Sequence, residues 1–392
     1  MVLIVPFGLV TGFISVTLGY LLGHAGVKAE AVAALVAVSF IPQTWKFLWA
    51  PVADLTLTRK RWYALAAVLC AAGLATLGVI PAKGESLPLL SAVALGASLA
   101  TTFLAMSVES LMAYGTTDAA RGRAGGWFQA GNLGGFGIGG GAALWIAEHA
   151  AQPWLPGVTL GGVCIACCIA LAFVAEPQRF ERPASIPGSI AQVLRDLWSV
   201  VRSRPGFLAL LICFLPIGTG AATNLWAAIA ADWHAPANTV ALVTGALGGV
   251  ASAAGCLAGG YWCDRMDRKK AYWVFGLVQA ACTIAMAFSP RTELVYIGYV
   301  LLYAFISGLT YAAFSAVVLE AMGLGAAATK YNVFASLSNM PIQYMTLADG
   351  WAHTRWGAGA MLWTEAGVGM AAILVFMAAA ATTNKKSGST IG

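Results

Sequence analysis

The sequence predicts an all-α membrane protein in which twelve transmembrane helices form two six-helix bundles, with both termini cytoplasmic. Three observations carry this reading. Hydrophobic residues fill 59% of the 392 positions and charged residues only 10%, which leaves too little polar surface to cover a soluble globule of that size. Apolar runs of roughly 20 residues, the length that crosses a bilayer, recur along the whole chain. Finally, 17 of the 22 Lys and Arg lie in or at the borders of every second connection, or in the C-terminal tail. Basic residues are retained on the cytoplasmic side during insertion, so those connections and both ends are expected to face the cytoplasm.

In order, the first six spans are expected near 3–22, 31–53, 62–80, 88–112, 124–147 and 156–175. The second six are expected near 206–230, 239–262, 270–289, 294–321, 328–350 and 358–381. The first run has no charged region before it and is long enough to span, so it is expected to act as its own insertion signal rather than as a cleaved leader. Pro177, Pro183, Pro187 and Pro205 mark the longest polar stretch, which separates a first bundle (1–175) from a second (206–382) through a cytoplasmic linker (176–205). Within that linker Ile190, Val193, Leu194, Leu197 and Trp198 share one helical face, which suits a helix lying in the membrane interface. Residues 383–392 form a cytoplasmic tail.

Composition also excludes classes. The net charge of +6 sits in short loops where insertion bias accounts for it, so no nucleic-acid partner is expected. The eight cysteines fall in or at the ends of apolar spans and read as packing residues, including the Cys164, Cys167 and Cys168 cluster. No metal site or other cofactor is expected. His24, His149, His234 and His353 fall at the external ends of spans, where they read as solvated loop residues. Scattered histidines and dispersed buried acids also argue against a membrane-embedded enzyme, a remote alternative. The glycine-rich run 131–141 lacks the strand that a nucleotide fingerprint needs. Gly131, Gly135 and Gly139 instead expose a smooth packing face, read here as a sliding surface between the bundles.

The two halves repeat each other. Span 2 ends in Trp49-Ala-Pro-Val-Ala-Asp54 before Arg59-Lys60-Arg61, and span 8 ends in Gly260-Tyr-Trp-Cys-Asp264-Arg265 before Arg268-Lys269-Lys270. Spans 4 and 10 each end near an acid, Glu109 and Glu320. Such repeats build transporters whose solute lies between bundles near the membrane midplane.

Gly260, Asp264, Arg265, Arg268 and Lys269 match the G-x-x-x-D-R-x-x-R-K signature of the major facilitator superfamily. A degraded first copy keeps Asp54 and Arg59. The segment Pro42-Gln-Thr-Trp-Lys46-Phe-Leu-Trp-Ala-Pro51-Val-Ala-Asp54 resembles the P-x-x-x-K-F-L-W-A-P-x-x-D segment of AmpG-like muropeptide permeases and the related acetyl-CoA transporters. Span 11, from Ala328-Thr-Lys-Tyr through Asn339-Met-Pro-Ile-Gln343 to Gly350-Trp351, is similar to the same group. Span 4 departs from that family's acid pattern: it reads Thr102 to Ser107, with Glu109 the nearest acid, which brings in the siderophore permeases of the wider group.

The resemblance implies a secondary active transporter of the bacterial inner membrane. It would import a muropeptide-like solute with protons by alternating access, with a ferric siderophore or other peptide-like solute as the alternative. A monomer surrounded by lipid is expected. Candidate solute-binding residues are Gln43, Trp45, Lys46, Gln129, Asn132, Asn224, Trp226, Asn339, Gln343 and Tyr344. Trp233 is expected to anchor the membrane interface. Candidate proton carriers are Glu109, Glu320, Asp349 and Glu365, because an ionised group within a span needs a partner or a watery cavity. Asp54, Arg59, Asp264, Arg265, Arg268 and Lys269 are candidates for a charge-assisted gating latch. Pro341 is expected to loosen span 11 by removing a backbone donor.

Overall fold

A computed structural model describes residues 1–115, 121–176, 202–322 and 333–385, with four helical positions, Gly188, Ala191, Arg195 and Trp198, between the second and third stretches. The interfacial helix expected at 189–202, the residues Ala328 to Tyr331 and most of the tail lie outside this description. Among the described residues nine helices are long and apolar enough to cross a membrane. In chain order they begin with α1 (Val2–His24), α2 (Ala29–Leu48), α3 (Arg59–Val79) and α4 (Leu87–Gly115). A fifth crossing, α5, runs from Arg121 to His149 with a π-helical turn at Ile138–Ala142, and α6 is Leu155–Phe173.

The second bundle holds α8 (Ala237–Cys263), α9 (Arg268–Phe288) and α10 (Glu293–Met322). Val333–Ala380 is continuous in hydropathy but holds two crossings, α11 and α12. They are separated at Gly357, whose backbone (φ 82°, ψ 179°) is open only to glycine. Span 11 therefore runs on past Gly350 to residue 356, and Asp349 lies two turns inside its end rather than at its mouth.

The seventh crossing, α7, departs from expectation. It is helical over Arg204–Ile212 and then continues as 3₁₀ turns at Ala221–Asn224 and Ala230–Trp233. Gly218 (φ 58°) and Gly220 (φ 70°) adopt left-handed backbone after Pro216, which ends the regular helix. Broken backbone within a membrane is tolerated where protein or a cavity satisfies it. Here Trp226 and Trp233 are fully buried in the packed interior of the second bundle, so Trp233 is a core residue and not an interface anchor.

Helix starts are capped where chain direction changes at the basic end. Thr58 accepts from the Arg61 N–H, Glu176 reaches across to the Arg59 and Lys60 N–H groups, and Asp267 accepts from the Lys270 N–H at 2.9 Å. Replacing Asp267 with Ala leaves that donor unmet, and thermal denaturation in detergent is expected to show a loss of about 1 kcal/mol.

Within the bundles glycines let backbones touch. Gly131, Gly135 and Gly139 of α5 face the Met1, Val5 and Leu9 carbonyls of α1. This face packs closely as expected, yet against its own bundle. The surface between bundles lies on the adjacent face, where Gly137 and Gly141 meet Gly245 and Ala246 of α8.

Candidate transport site

Three π-helical turns meet where the bundles join: Phe13–Leu18 in α1, Ile138–Ala142 in α5 and Ala241–Leu247 in α8. Wide turns leave carbonyls without their usual donors, and Thr17 Oγ1 donates to two of them, on Gly139 and Gly140, at 3.0 and 3.1 Å. The same end of the molecule, remote from the basic loops, is sealed by further contacts between halves. The Glu30 N–H donates to Thr354 Oγ1 at 2.9 Å, Gly350 of α11 lies against Ala33 and the Ala29 carbonyl of α2, and Gly23 lies against the Ala228 carbonyl. Val16, Ala29, Ala33 and Leu144 of the first bundle share one hydrophobic cluster with Trp226, Trp233 and Tyr296 of the second.

Beneath this seal lies a cavity of about 160 Å³ between α5 of the first bundle and α7, α8 and α10 of the second. Its walls pair apolar surface from Leu133, Phe136, Trp226 and Val300 with hydroxyls of Thr223, Thr244, Ser252 and Ser307. Thr244 is tied to the Tyr296 hydroxyl at 2.9 Å and Ser307 receives the Gln279 Nε2–H at 3.0 Å. The Trp226 Nε1–H meets no acceptor among the described residues. Of the ten solute-binding candidates only Trp226 lines this cavity. Sequence reasoning missed the hydroxyls because Ser and Thr in apolar spans most often bond their own helix, as Ser307 also does to the Tyr303 carbonyl.

The other candidates scatter, and Gln43 stays buried in α2. Asn224 donates to Thr346 Oγ1 at 3.0 Å and stays buried. Gln129 and Asn132 bond each other on α5 at 3.4 Å. Gln343 donates to the Ala37 carbonyl at 3.1 Å, bridging α11 and the turn of α2 loosened by Pro42, and Tyr344 donates to the Phe214 carbonyl at 2.7 Å. Asn339 spends its Nδ2–H groups on the Ala335 and Ser336 carbonyls beside the break at Ser338. There Pro341 supplies no N–H for Leu337, so the loosening of span 11 falls just ahead of the proline.

At the basic end Lys46 Nζ donates to Glu109 Oε1 at 3.0 Å, joining α2 to α4 with side-chain exposures of 18% and 24%. Trp45 packs on Phe47, which in turn packs into the second bundle. Trp49 donates to Thr102 Oγ1 at 3.0 Å, so the first position of the departure in α4 supplies an acceptor there. Glu320 has the geometry of a surface ion pair, with Arg268 at 3.4 Å and both side chains about half exposed. That leaves Asp264 without a described partner: Arg265 lies over the Tyr261 ring, and Arg268 turns to α10. Arg59 donates to the Ala53 carbonyl, and the Asp54 side chain lies outside the described residues. His353, far from being a solvated loop residue, lies in α11 and pairs with Asp232 of α7 at 2.5 Å.

Asp349 and Glu365 come together in the interior of the second bundle. Asp349 is fully buried and Glu365 is 7% exposed, and the two carboxyl groups act directly on each other. Glu365 Oε1 accepts the Tyr303 hydroxyl at 2.5 Å, whereas neither Asp349 oxygen has a donor among the described residues. An ionised carboxylate costs at least ~2.5–3.5 kcal/mol at the bilayer centre, and two facing each other repel.

Two helical bundles flank a mostly apolar cavity carrying four hydroxyls and are sealed together at one end by small residues, the arrangement of a polytopic membrane protein. The sequence matches the Major Facilitator Superfamily over residues 1–343, and the chain belongs to that family. It is 24% identical over 325 residues to the anhydromuropeptide permease of Escherichia coli strain K12, a match that covers 78% of this chain and 64% of that protein. The chain thus spans less than two thirds of the curated relatives it matches. Two solved structures share the fold. A point mutant of the nucleoside transporter NupG aligns with a TM-score of 0.73 at 13% identity, over 96% of this chain and 98% of that one. The partially occluded, inward-open xylose transporter XylE from E. coli aligns with a TM-score of 0.71 at 14% identity, over 95% of each. The family to which the chain belongs is one of multi-pass membrane transporters.

Proposed function

We propose that this transporter imports a muropeptide-like solute across the bacterial inner membrane by alternating access, driven by protons. The observation that carries the reading is its likeness to the anhydromuropeptide permease across 78% of the chain. The cavity chemistry is consistent with it. A sugar ring presents an apolar face to aromatic walls such as Trp226 and Phe136 and hydroxyls to Thr223, Thr244, Ser252 and Ser307. Lys46 supplies a cation toward which the carboxylate of a peptide stem is drawn once Glu109 releases it.

About 160 Å³ accommodates only part of a disaccharide peptide, since ligand sites usually span ~300–1,000 Å³. Admission of the whole solute therefore requires the bundles to part further, and the arrangement described here is the phase of the cycle in which the end remote from the basic loops is shut. In that cycle Asp264, together with Arg265, Arg268 and Lys269, forms a latch when the basic end closes, as do Asp54 and Arg59. Asp264→Asn then slows cycling without preventing insertion.

Binding to the purified protein in lipid nanodiscs separates this reading from a siderophore permease. Calorimetric titration with a disaccharide-tripeptide anhydro-muropeptide is expected to show saturable heat that is lost in Trp226→Ala. Saturable heat with a ferric siderophore and none with the muropeptide would transfer the proposal to that substrate class.

A further inference from the structure

We propose that Asp349 and Glu365 form a single proton-binding site holding one shared proton, and that Tyr303 links its occupancy to the cavity through Trp226. This rests on the proton-driven reading above and names the site where it acts. The pair is contributed by two helices joined at Gly357, so its geometry changes when α11 moves against α12. Without a proton, two charges would face each other with the Tyr303 hydroxyl as the one donor among the described residues, and both Asp349 oxygens would stay unmet in the interior. One proton between them, bonded to an oxygen of one carboxyl and donated to an oxygen of the other, leaves one net charge, which Tyr303 stabilises at Glu365 Oε1.

Among the described residues no nearby cation takes the proton's place. Tyr303 of α10 donates to Glu365, and Gln279 of α9 donates to Ser307. His353, one turn along from Asp349, is engaged by Asp232 of α7, and Arg291 lies over the Trp233 ring at 4.3 Å.

Two contacts join this site to transport. The Tyr303 ring meets Trp226 edge to face at 5.5 Å, and the Tyr303 carbonyl accepts from Ser307, so the residue that holds Glu365 also braces two walls of the cavity. Gly350, next to Asp349, lies against Ala33 and the Ala29 carbonyl of the opposite bundle. Parting the seal strips protein from α11 beside Asp349 and admits water there. A proton then enters from the side that opens, is carried while the seal is shut, and leaves as hydronium when the protein opens the other way, one per cycle with the carboxyl O–H bond formed and broken once.

Infrared difference spectroscopy of the full chain in lipid, without solute, tests the site. Wild type is expected to show a protonated-carboxyl C=O band at neutral pH that disappears in Glu365→Gln and in Asp349→Asn and shifts in Tyr303→Phe. Absence of the band in wild type, or its persistence in both acid variants, overturns the proposal. In proteoliposomes, the ratio of gradient-driven accumulation to gradient-free counterflow of anhydro-muropeptide is expected to fall about 10-fold or more in Glu365→Gln. An unchanged ratio also overturns it. If wild type moves no muropeptide, the substrate reading fails and the infrared arm still decides the proton site.

Discussion

Gly245→Val is expected to lower transport by about 30- to 150-fold while leaving the protein inserted and folded. A Cβ at Gly245 would lie 2.5 Å from both the Cα and the N of Gly141, and one at Gly141 would lie 2.5 Å from the Ala241 carbonyl. These neighbours are backbone atoms in two different bundles, so no side chain can swing aside. Relief comes only by moving the bundles apart, which removes the sealed state from the cycle. Overpacking of this kind costs ~1–3 kcal/mol, and its upper half corresponds to that range of rates at a tenfold change per ~1.4 kcal/mol. Hydrogen exchange is expected to rise in the π-helical turns around Gly141 and Gly245 and to stay unchanged in α3. Gly96→Ala, at a site with open space around it, should leave uptake within about twofold. Normal uptake by Gly245→Val would show that the bundles need not close at this seam.

Lys46→Ala is expected to reduce uptake at least about 10-fold and to lower stability as well. The Lys46–Glu109 pair is largely withdrawn from solvent. Removing one partner of a buried pair costs ~3–5 kcal/mol because the other charge is left behind, and the residual exposure brings the expected stability loss to about 1–3 kcal/mol. Combining Lys46→Ala with Glu109→Gln removes the orphaned charge. The double variant should therefore regain most of the thermal stability yet still fail to take up the muropeptide, if Lys46 also receives the solute's anionic group. Recovery of both stability and uptake would reduce the pair to a structural tie between α2 and α4.

Much of the fold could be read from the chain because a bilayer imposes one simple demand, an apolar helix of sufficient length. Hydropathy and loop charge located the apolar crossings among the described residues, but span 11 runs past its expected end at 350 because no change in hydropathy marks the break at Gly357. Neither revealed the break in α7, since the residues around Gly218 and Gly220 are as apolar as a regular span. Their left-handed backbone follows from the packing around them. A usable signal was present in Pro216-Ile-Gly218-Thr-Gly220. The glycine face of α5 shows a different limit. Spacing of four identified a close-packing stripe, but a shift of two residues, from Gly139 to Gly137 and Gly141, turns the helix from its own bundle to the other.

The candidate site was less legible for the same reason. Asp349 and Glu365 stand out singly as acids in apolar helices, yet their meeting depends on how α11 folds back on α12, and Tyr303 enters from a third helix. Lys46 and Glu109 are 63 residues apart in sequence, and the packing of α2 on α4 is what brings them together. Polar residues that looked exceptional in a span, such as Asn339 and Tyr344, turned out to meet backbone carbonyls exposed by local breaks. The hydroxyls that line the cavity looked ordinary.

The central claim, that this carrier accumulates a muropeptide-like solute at the expense of a proton gradient, is tested most directly by uptake into proteoliposomes of the full chain. Labelled anhydro-muropeptide would be offered with and without an inward proton gradient, beside a labelled ferric siderophore. The account predicts accumulation of the muropeptide that collapses on adding a protonophore and is lost in Lys46→Ala. Uptake that ignores the gradient, or that carries the siderophore and not the muropeptide, would contradict it.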